Sequence, residues 1–213
     1  MKNLLKDELQ NIVSGKSTVR FGRTIQTITG HLKKSTQTGQ ASENTEYFRD
    51  QEKQELIRFI SAHQLWYGPI DFGQYVSAGA EQRVFLKGSS NVFKLNDAIY
   101  YASWTEYLNN LLLHNFFFPD TAYDLIGFTS QDNVLYAVVQ QAFVECTETT
   151  DLWNVKSFLT ENGFVNTRNN DYYNSALGII LEDLHDENVL TRNGILYFID
   201  TVFYTTPEFW LDT

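Results

Sequence analysis

Two apolar runs near the end of the chain, Val189-Leu190 and Ile195-Leu196-Tyr197-Phe198-Ile199, enclose Thr191-Arg192-Asn193-Gly194. They read as two strands of buried type joined by a tight turn. A hairpin brings its ends together, so Asn188, just before the first strand, and Asp200, just after the second, are expected side by side. Asp183 stands five residues before Asn188, behind the apolar pair Ile180-Leu181. The competing reading is an acidic surface turn, since Glu182, Asp186 and Glu187 are acidic too. The buried-type flanks weigh against it.

A carboxylate, an amide and a second carboxylate in this order have a definite chemical use. Transfer of a phosphoryl group from a nucleotide needs one carboxylate near the attacking hydroxyl, and hard oxygen ligands for Mg²⁺. Asp183 suits the first task, and Asn188 with Asp200 suits the second.

Lys94 extends the set. It lies in the apolar run Val92-Phe93-Lys94-Leu95, where strand alternation gives it the same face as Val92. An ammonium there needs a partner, and the α/β-phosphates of a nucleotide, together with Glu106 on the following helix, would supply one. A strand-edge lysine reaching solvent is the commoner use of a lone Lys. Ser77-Ala78-Gly79-Ala80-Glu81 has small residues that let backbone N–H groups approach phosphate, although one glycine makes an ordinary hairpin turn an equal reading. His185 is expected to hydrogen-bond within its loop, His114 to be a packed or capping residue, and Cys146 to have no nucleophilic role.

Composition limits the alternatives. The chain has 213 residues with 43% hydrophobic and 20% charged content, enough for a packed core. A net charge of −10 argues against nucleic acid as the main partner. Residues 1–40 run the other way, with seven Lys/Arg against Asp7 and Glu8. This basic arm is expected to be a solvated surface segment, with nucleic-acid binding or folding against the acidic body as its alternatives. One cysteine excludes an internal disulfide framework. No apolar run reaches membrane-spanning length and no signal peptide is visible, so a cytoplasmic setting without a membrane partner is the default.

Residues 3–13 have the spacing of a short amphipathic helix ended by Ser14-Gly15, and residues 35–45 read as a polar loop or linker. A helix capped by Asn44 or Thr45 would run to about Gln64, burying Phe48, Leu56, Phe59 and Ile60. Residues 1–67 thus read as a helical extension separate from the rest of the chain. Residues 74–77, 82–86 and 91–95 form a three-strand meander, 102–117 a helix, and 122–129 with 134–143 a strand pair. Helices are expected at 151–162 and at about 172–181, the latter leading into the polar cluster. The fold class is α+β.

These residues bear a resemblance. Asp183-Leu184-His185-Asp186-Glu187-Asn188-Val189-Leu190 resembles the catalytic loop of protein kinases and the D-L-H-x-x-N loop of aminoglycoside and choline phosphotransferases. Ala78-Gly79-Ala80-Glu81-Gln82-Arg83-Val84-Phe85, Lys94-Leu95-Asn96-Asp97-Ala98-Ile99-Tyr100-Tyr101, Trp104-Thr105-Glu106-Tyr107-Leu108, Leu113-His114-Asn115 and Phe118-Pro119-Asp120-Thr121-Ala122-Tyr123 are similar to the kinase domain of polyvalent proteins. That family is carried largely on phage and conjugative elements, notably in Bacteroidetes. The resemblance spans about residues 67–204.

It implies a protein-kinase-like fold over 68–213, with a β-rich N-lobe at about 68–143 and a reduced C-lobe at about 144–213. ATP and Mg²⁺ are the implied cofactors. Asp183, Lys94 and Glu106 are the implied catalytic residues, Asn188 and Asp200 the metal ligands, and Ser77, Ala78, Gly79, Ala80 and Lys94 the phosphate cradle. Gln141 to Val144, Phe143 among them, would be the hinge that reads adenine through backbone groups. Three departures stand out: Leu181-Glu182 replaces the His-Arg of the kinase loop, Thr201-Val202 replaces Phe-Gly, and thirteen residues follow Asp200. These remove the usual platform for a protein substrate. The expected partners are a nucleotide and a hydroxyl acceptor, either a protein side chain or a small molecule. The alternative is a nucleotide-binding pseudokinase or a mobile-element accessory module without transferase activity.

Overall fold

A computed structural model describes residues 3–37, 45–68, 75–78 and 82–211. Three helices come first: α1 (Leu4–Val13), α2 (Gly22–Gln37) and α3 (Thr45–Ala62). Asn3 caps α1 by accepting the Lys6 N–H, and Gly15 leaves the helix at φ +74°, a left-handed conformation that glycine adopts without a Cβ penalty. Next in the chain is a five-stranded antiparallel sheet, built from β1 (Tyr75–Ala78), β2 (Gln82–Lys87), β3 (Asn91–Asn96), β4 (Asp124–Gln131) and β5 (Val134–Ala142), in the spatial order β1-β2-β3-β5-β4. Helix α4 (Trp104–Phe117) runs between β3 and β4 in sequence.

The second half holds α5 (Leu152–Glu161) and six short strands: β6 (Val165–Arg168), β7 (Asp171–Asn174), β8 (Ile179–Glu182), β9 (Val189–Arg192), β10 (Ile195–Phe198) and β11 (Val202–Thr205). A four-stranded sheet runs β11-β8-β7-β6, while β9 and β10 form their own hairpin. The hairpin matches the sequence expectation, turning at Asn193 and Gly194, both at positive φ.

The helix expected at about 172–181 is instead the β7–β8 hairpin. Tyr172 and Asn174 are buried while Asp171 and Tyr173 are half-buried, and Ile179 and Leu181 alternate with Ile180 and Glu182 in the same way. That period of two is a strand pattern. Asn174 holds the turn by accepting the Leu177 N–H at 3.1 Å. Gly178 sits at φ +69°, where a Cβ would fall 2.3 Å from the Phe209 backbone N.

Alternation in β5 divides the core. Leu135, Ala137 and Val139 face the helices, whereas Tyr136 and Val138 join Phe85, Phe93 and Leu95 on the other side of the sheet. The helix-side cluster crosses the sequence boundary at residue 67, joining Ile12, Ile25, Ile28, Leu32, Leu56 and Ile60 to Leu108, Leu112 and Phe128. Helix α4 is the hub, with Trp104, Tyr107, Leu108, Leu111, Leu112 and Leu113 all buried. A helix buried on nearly every side forms the centre of a fold. The N-terminal helices therefore share their packing with the β-rich region. No helix among the described residues is long and apolar enough to cross a membrane.

This shared core carries a stability prediction. Ile28→Ala, in α2, empties a fully buried site and should cost about 2–5 kcal/mol of unfolding free energy. In urea the variant should unfold in one transition at lower midpoint, as seen by both tryptophan fluorescence and far-UV circular dichroism. Two separated transitions would show the helices to be an independent unit.

Candidate active site

Helix α4 is positioned by two carboxylates. Glu52, buried in α3, accepts the Trp104 and Thr105 N–H groups at 2.7 and 3.0 Å, and Ser103 caps the same end by accepting from Glu106 N. Glu106 reaches back to accept the Ala102 N–H at 2.7 Å. This reciprocal pairing resembles a capping box. The sequence expectation that Glu106 pairs with Lys94 is thereby corrected: Glu106 closes the start of its own helix, and the ion-pair partner of Lys94 is Asp200, at 3.8 Å.

Lys94 lies on the helix-facing side of β3, opposite Phe93 and Leu95, and is 3% exposed. Its Nζ donates to the Ile199 carbonyl at 2.6 Å. Burial lowers the Lys94 pKa below the usual lysine range, and Asp200 acts in the opposite sense. The same carbonyl accepts the Tyr123 hydroxyl at 2.8 Å. Burial, with the Asp200 charge adding, raises Tyr123 well above an ordinary tyrosine, so this group remains an O–H donor.

A buried polar layer holds the turn that carries Asp200. His114 Nε2 lies 2.9 Å from the Thr121 carbonyl, which can only accept, so that nitrogen carries the proton. His114 Nδ1 then accepts the Thr201 hydroxyl at 2.7 Å. Gln141 Nε2 donates to the same Thr121 carbonyl at 2.7 Å, and the Thr121 hydroxyl donates to the Phe198 carbonyl at 2.6 Å. The segment from Phe198 to Thr201 is thus held at three successive points by residues of α4, β3 and the stretch between α4 and β4.

The Asp183 loop closes on itself. Asp183 adopts φ +66°, a left-handed conformation that Asp tolerates better than most residues. Asn188 Nδ2 donates to both the Asp183 carbonyl and Asp183 Oδ2, at 2.8 and 2.7 Å. His185 Nδ1 accepts the Glu187 N–H, and His185 Nε2 lies 3.2 Å from Asp183 Oδ1. Burial raises the Asp183 pKa, with the Asp200 and Asp171 charges adding, against the opposing effects of His185 and the Asn188 hydrogen bond. The Ile199 and Asp200 N–H groups both donate to the Asn188 carbonyl, at 2.9 and 3.3 Å. That pair of bonds sets Asp200 beside Asn188, as the hairpin geometry requires.

Lys94, Asp183, Asn188 and Asp200 therefore converge. The other expected positions fare differently. Ser77 and Ala78 lie in β1, registered with Val84 and Arg83, while Gly79 and Ala80 lie outside the described residues. Gln141 is an interior residue of β5 whose side chain joins the buried polar layer, and the Phe143 N–H is bonded to the Ser90 carbonyl at 2.9 Å. Tyr123, Thr121 and Thr201 were given no role in the site from sequence. His114 was, as a packed or capping residue, but its link to the Asp200 turn was not. The available signal was a histidine inside a leucine-rich helix, which burial obliges to find partners.

The donor set suits a hard cation. With Nδ2 of Asn188 directed at Asp183, its Oδ1 is the amide atom left to accept, and Asp200 adds a carboxylate that is 28% exposed. Among the described residues no three His, Cys, Asp or Glu side chains are placed to hold a metal. One amide and one carboxylate, with further oxygens from phosphate and water, is the habit of Mg²⁺.

Residues 49–207 match the family model described as Serine/Threonine/Tyrosine Kinase found in polyvalent proteins. The chain belongs to this polyvalent-protein kinase family. The match begins within α3 and ends just past β11, so it covers the whole convergence of Lys94, Asp183, Asn188 and Asp200 and leaves α1 and α2 outside it. No curated protein and no solved structure matches the chain. Within this kinase-family chain the α+β architecture, with its five-stranded sheet and hub helix, is compatible with a kinase-like domain.

His114 gives the layer a pH signature. Burial lowers its pKa from 6.5 to about 3, with the nearby Lys94 charge acting in the same direction. The folded state keeps His114 neutral while the unfolded chain protonates it below about 6.5. Its contribution to stability is thus complete above that pH and declines as pH falls towards 3. His114→Gln should lower stability at pH 7 by about 1–3 kcal/mol. It should also flatten the wild-type dependence between pH 6.5 and 4, measured by urea unfolding. An unchanged slope would show that other groups govern the acid limb.

Proposed function

We infer that the chain is an ATP- and Mg²⁺-dependent phosphotransferase acting on a hydroxyl group. One observation carries the reading: an unbroken path of short contacts joins Lys94 to Asp200, Asp200 to Asn188 and Asn188 to Asp183. In this reading the acceptor oxygen forms a bond to the γ-phosphorus as the bond from that phosphorus to the bridging oxygen breaks. The electron pair leaves with ADP, and the acceptor proton passes to the Asp183 carboxylate. Asp183 is held for this by Asn188 and His185, and its raised pKa makes it a better proton acceptor than an ordinary aspartate. Lys94 exchanges the Ile199 carbonyl for phosphate oxygens. Asn188 and Asp200 would hold Mg²⁺, which would supply charge neutralisation for the phosphates. The family description supports Ser, Thr or Tyr hydroxyls of a polypeptide as the acceptor class.

A nucleotide-binding module without transfer is the second reading. It is favoured by one feature: Glu106 is committed to its helix N-terminus and leaves Lys94 on a backbone carbonyl.

Two variants separate these readings. Asp200→Ala should abolish the Mg²⁺-dependent thermal shift produced by ATP. Asp183→Ala should retain that shift and reduce phosphoryl transfer by about 10²–10⁴-fold. ATP binding by the wild-type chain with no labelled phosphate transferred, even to itself, would establish the second reading.

The pH–rate profile gives an independent check. Because Asp183 must be ionised to accept a proton and its pKa is raised, the acid limb of kcat should lie above the pH at which an ordinary aspartate titrates. Asp183→Glu should move this limb. A limb indifferent to that substitution would assign the proton transfer elsewhere.

A further inference from the structure

A groove of about 340 Å³ lies on the open face of the β6-β7-β8 sheet, beside the Asp183 loop. Ile180 of β8 and Tyr173 of β7 give it an apolar and aromatic wall, and Glu182, Asp171, Thr167 and Arg168 add the polar groups. The groove is joined to the loop by hydrogen bonds. Asp171 Oδ1 accepts the Asp183 N–H at 3.3 Å, and the neighbouring Asn170 carbonyl accepts the Leu184 N–H at 3.3 Å. A molecule seated here is therefore beside the loop that carries the carboxylate proposed as the proton acceptor.

We propose that this groove seats a lysine or arginine side chain of a polypeptide whose serine, threonine or tyrosine hydroxyl is presented to Asp183. The proposal rests on the phosphotransferase reading and names the acceptor class for it. Shape, wall chemistry and charge agree. The volume is at the low end of the roughly 300–1,000 Å³ of pockets that enclose small ligands, and the groove is open to solvent, which suits one side chain of a segment lying across it. An aliphatic stem covers Ile180, and a cationic head near the Tyr173 ring gains from its π-face.

Glu182 and Asp171, with Asp183 alongside, outweigh the single Arg168, which lies 3.8 Å from Asp171 and is largely exposed. Glu182 is held above the usual glutamate range by burial and by the Asp171 charge, a repulsion that an arriving cation relieves. Glu182 also occupies the position that is arginine in the kinase loop, so this wall carries negative charge where that loop carries positive.

Matched synthetic peptides test the assignment, each with one Ser, Thr or Tyr flanked either by Lys/Arg or by Asp/Glu, with transfer read from γ-labelled ATP. The basic set should be favoured by at least about tenfold in kcat/KM, a difference of about 1.4 kcal/mol. Glu182→Lys should erase that preference mainly through KM, and Thr167→Lys, which leaves the catalytic loop untouched, should weaken it. The ATP thermal shift should persist in both variants. Equal use of the two peptide sets, or a preference surviving both substitutions, overturns the groove.

Fluorescence anisotropy of a labelled basic peptide without nucleotide tests the groove alone. Binding weakened by Glu182→Lys supports it, and no binding overturns it. Failure of the phosphotransferase reading would show separately, as a wild-type chain with no response to ATP and Mg²⁺.

Discussion

The buried ammonium of Lys94 is the constraint around which the rest is arranged. Removing a cation from water costs several kcal/mol, even after relaxation, unless a partner of good geometry replaces the solvent. Lys94 has the Ile199 carbonyl at 2.6 Å and Asp200 at 3.8 Å. Both partners belong to one turn between β10 and β11, so that turn cannot wander. Its fixation falls to uncharged groups: Tyr123 on Ile199, Thr121 on Phe198 and His114 on Thr201. Burial, with the Lys94 charge adding, keeps the His114 ring neutral, so the layer holds no second buried cation. The polar layer is thus the consequence of placing one lysine inside an apolar strand.

The position of the layer also explains how the two halves of the chain are joined. Helix α4 contributes His114 to the layer and Asn110 to the Phe203 N–H at 2.8 Å, while its leucines fill the core shared with α2 and α3. At its start, Glu52 of α3 satisfies N–H groups that would otherwise be unpaired in the interior. At the other end of the chain, Lys6 and Gln10 of α1 donate to the carbonyls of Leu211 and Phe209. The N-terminal helices are therefore tied to the site-bearing region by hydrogen bonds as well as by packing.

Much of this was legible in the amino-acid order, and the reason differs by element. The β9–β10 hairpin was readable because two apolar runs flank turn residues at short range, and the placement of Asn188 beside Asp200 comes from that local geometry. The Lys94 position was readable because alternation in β3 is uninterrupted. The region at 172–181 was read as a helix, although its burial alternates with a period of two in both β7 and β8. What decides for strands is β11, which pairs with β8 in register Val202 to Glu182. That partner lies some twenty residues away, beyond any local pattern. Glu106 failed for a related reason. Its order relative to Lys94 matched the expected pair, but whether a first-turn glutamate caps its own helix or reaches a strand depends on tertiary distance. Helix α2 was hidden within the basic arm, whose charge drew the reading towards a solvated segment, whereas Ile25, Ile28 and Leu32 are fully buried.

In the proposed reading Lys94 has two claims on it, and they cannot both be met. An ammonium that donates to the Ile199 carbonyl must turn away from it, at least in part, to hold a phosphate oxygen. The released carbonyl is not left stranded, because Tyr123 continues to donate to it. This second donor lowers the cost of the exchange: a buried carbonyl without any partner is penalised by about 1–3 kcal/mol, whereas one that keeps a single donor is not. Burial acts in the same direction, since an ammonium whose charged form is disfavoured by its surroundings gains more from an arriving anion than one already surrounded by water. On the proposed phosphotransferase reading, Lys94 would thus be retained inside the fold by a bond that a phosphate could replace without unsettling the turn carrying Asp200.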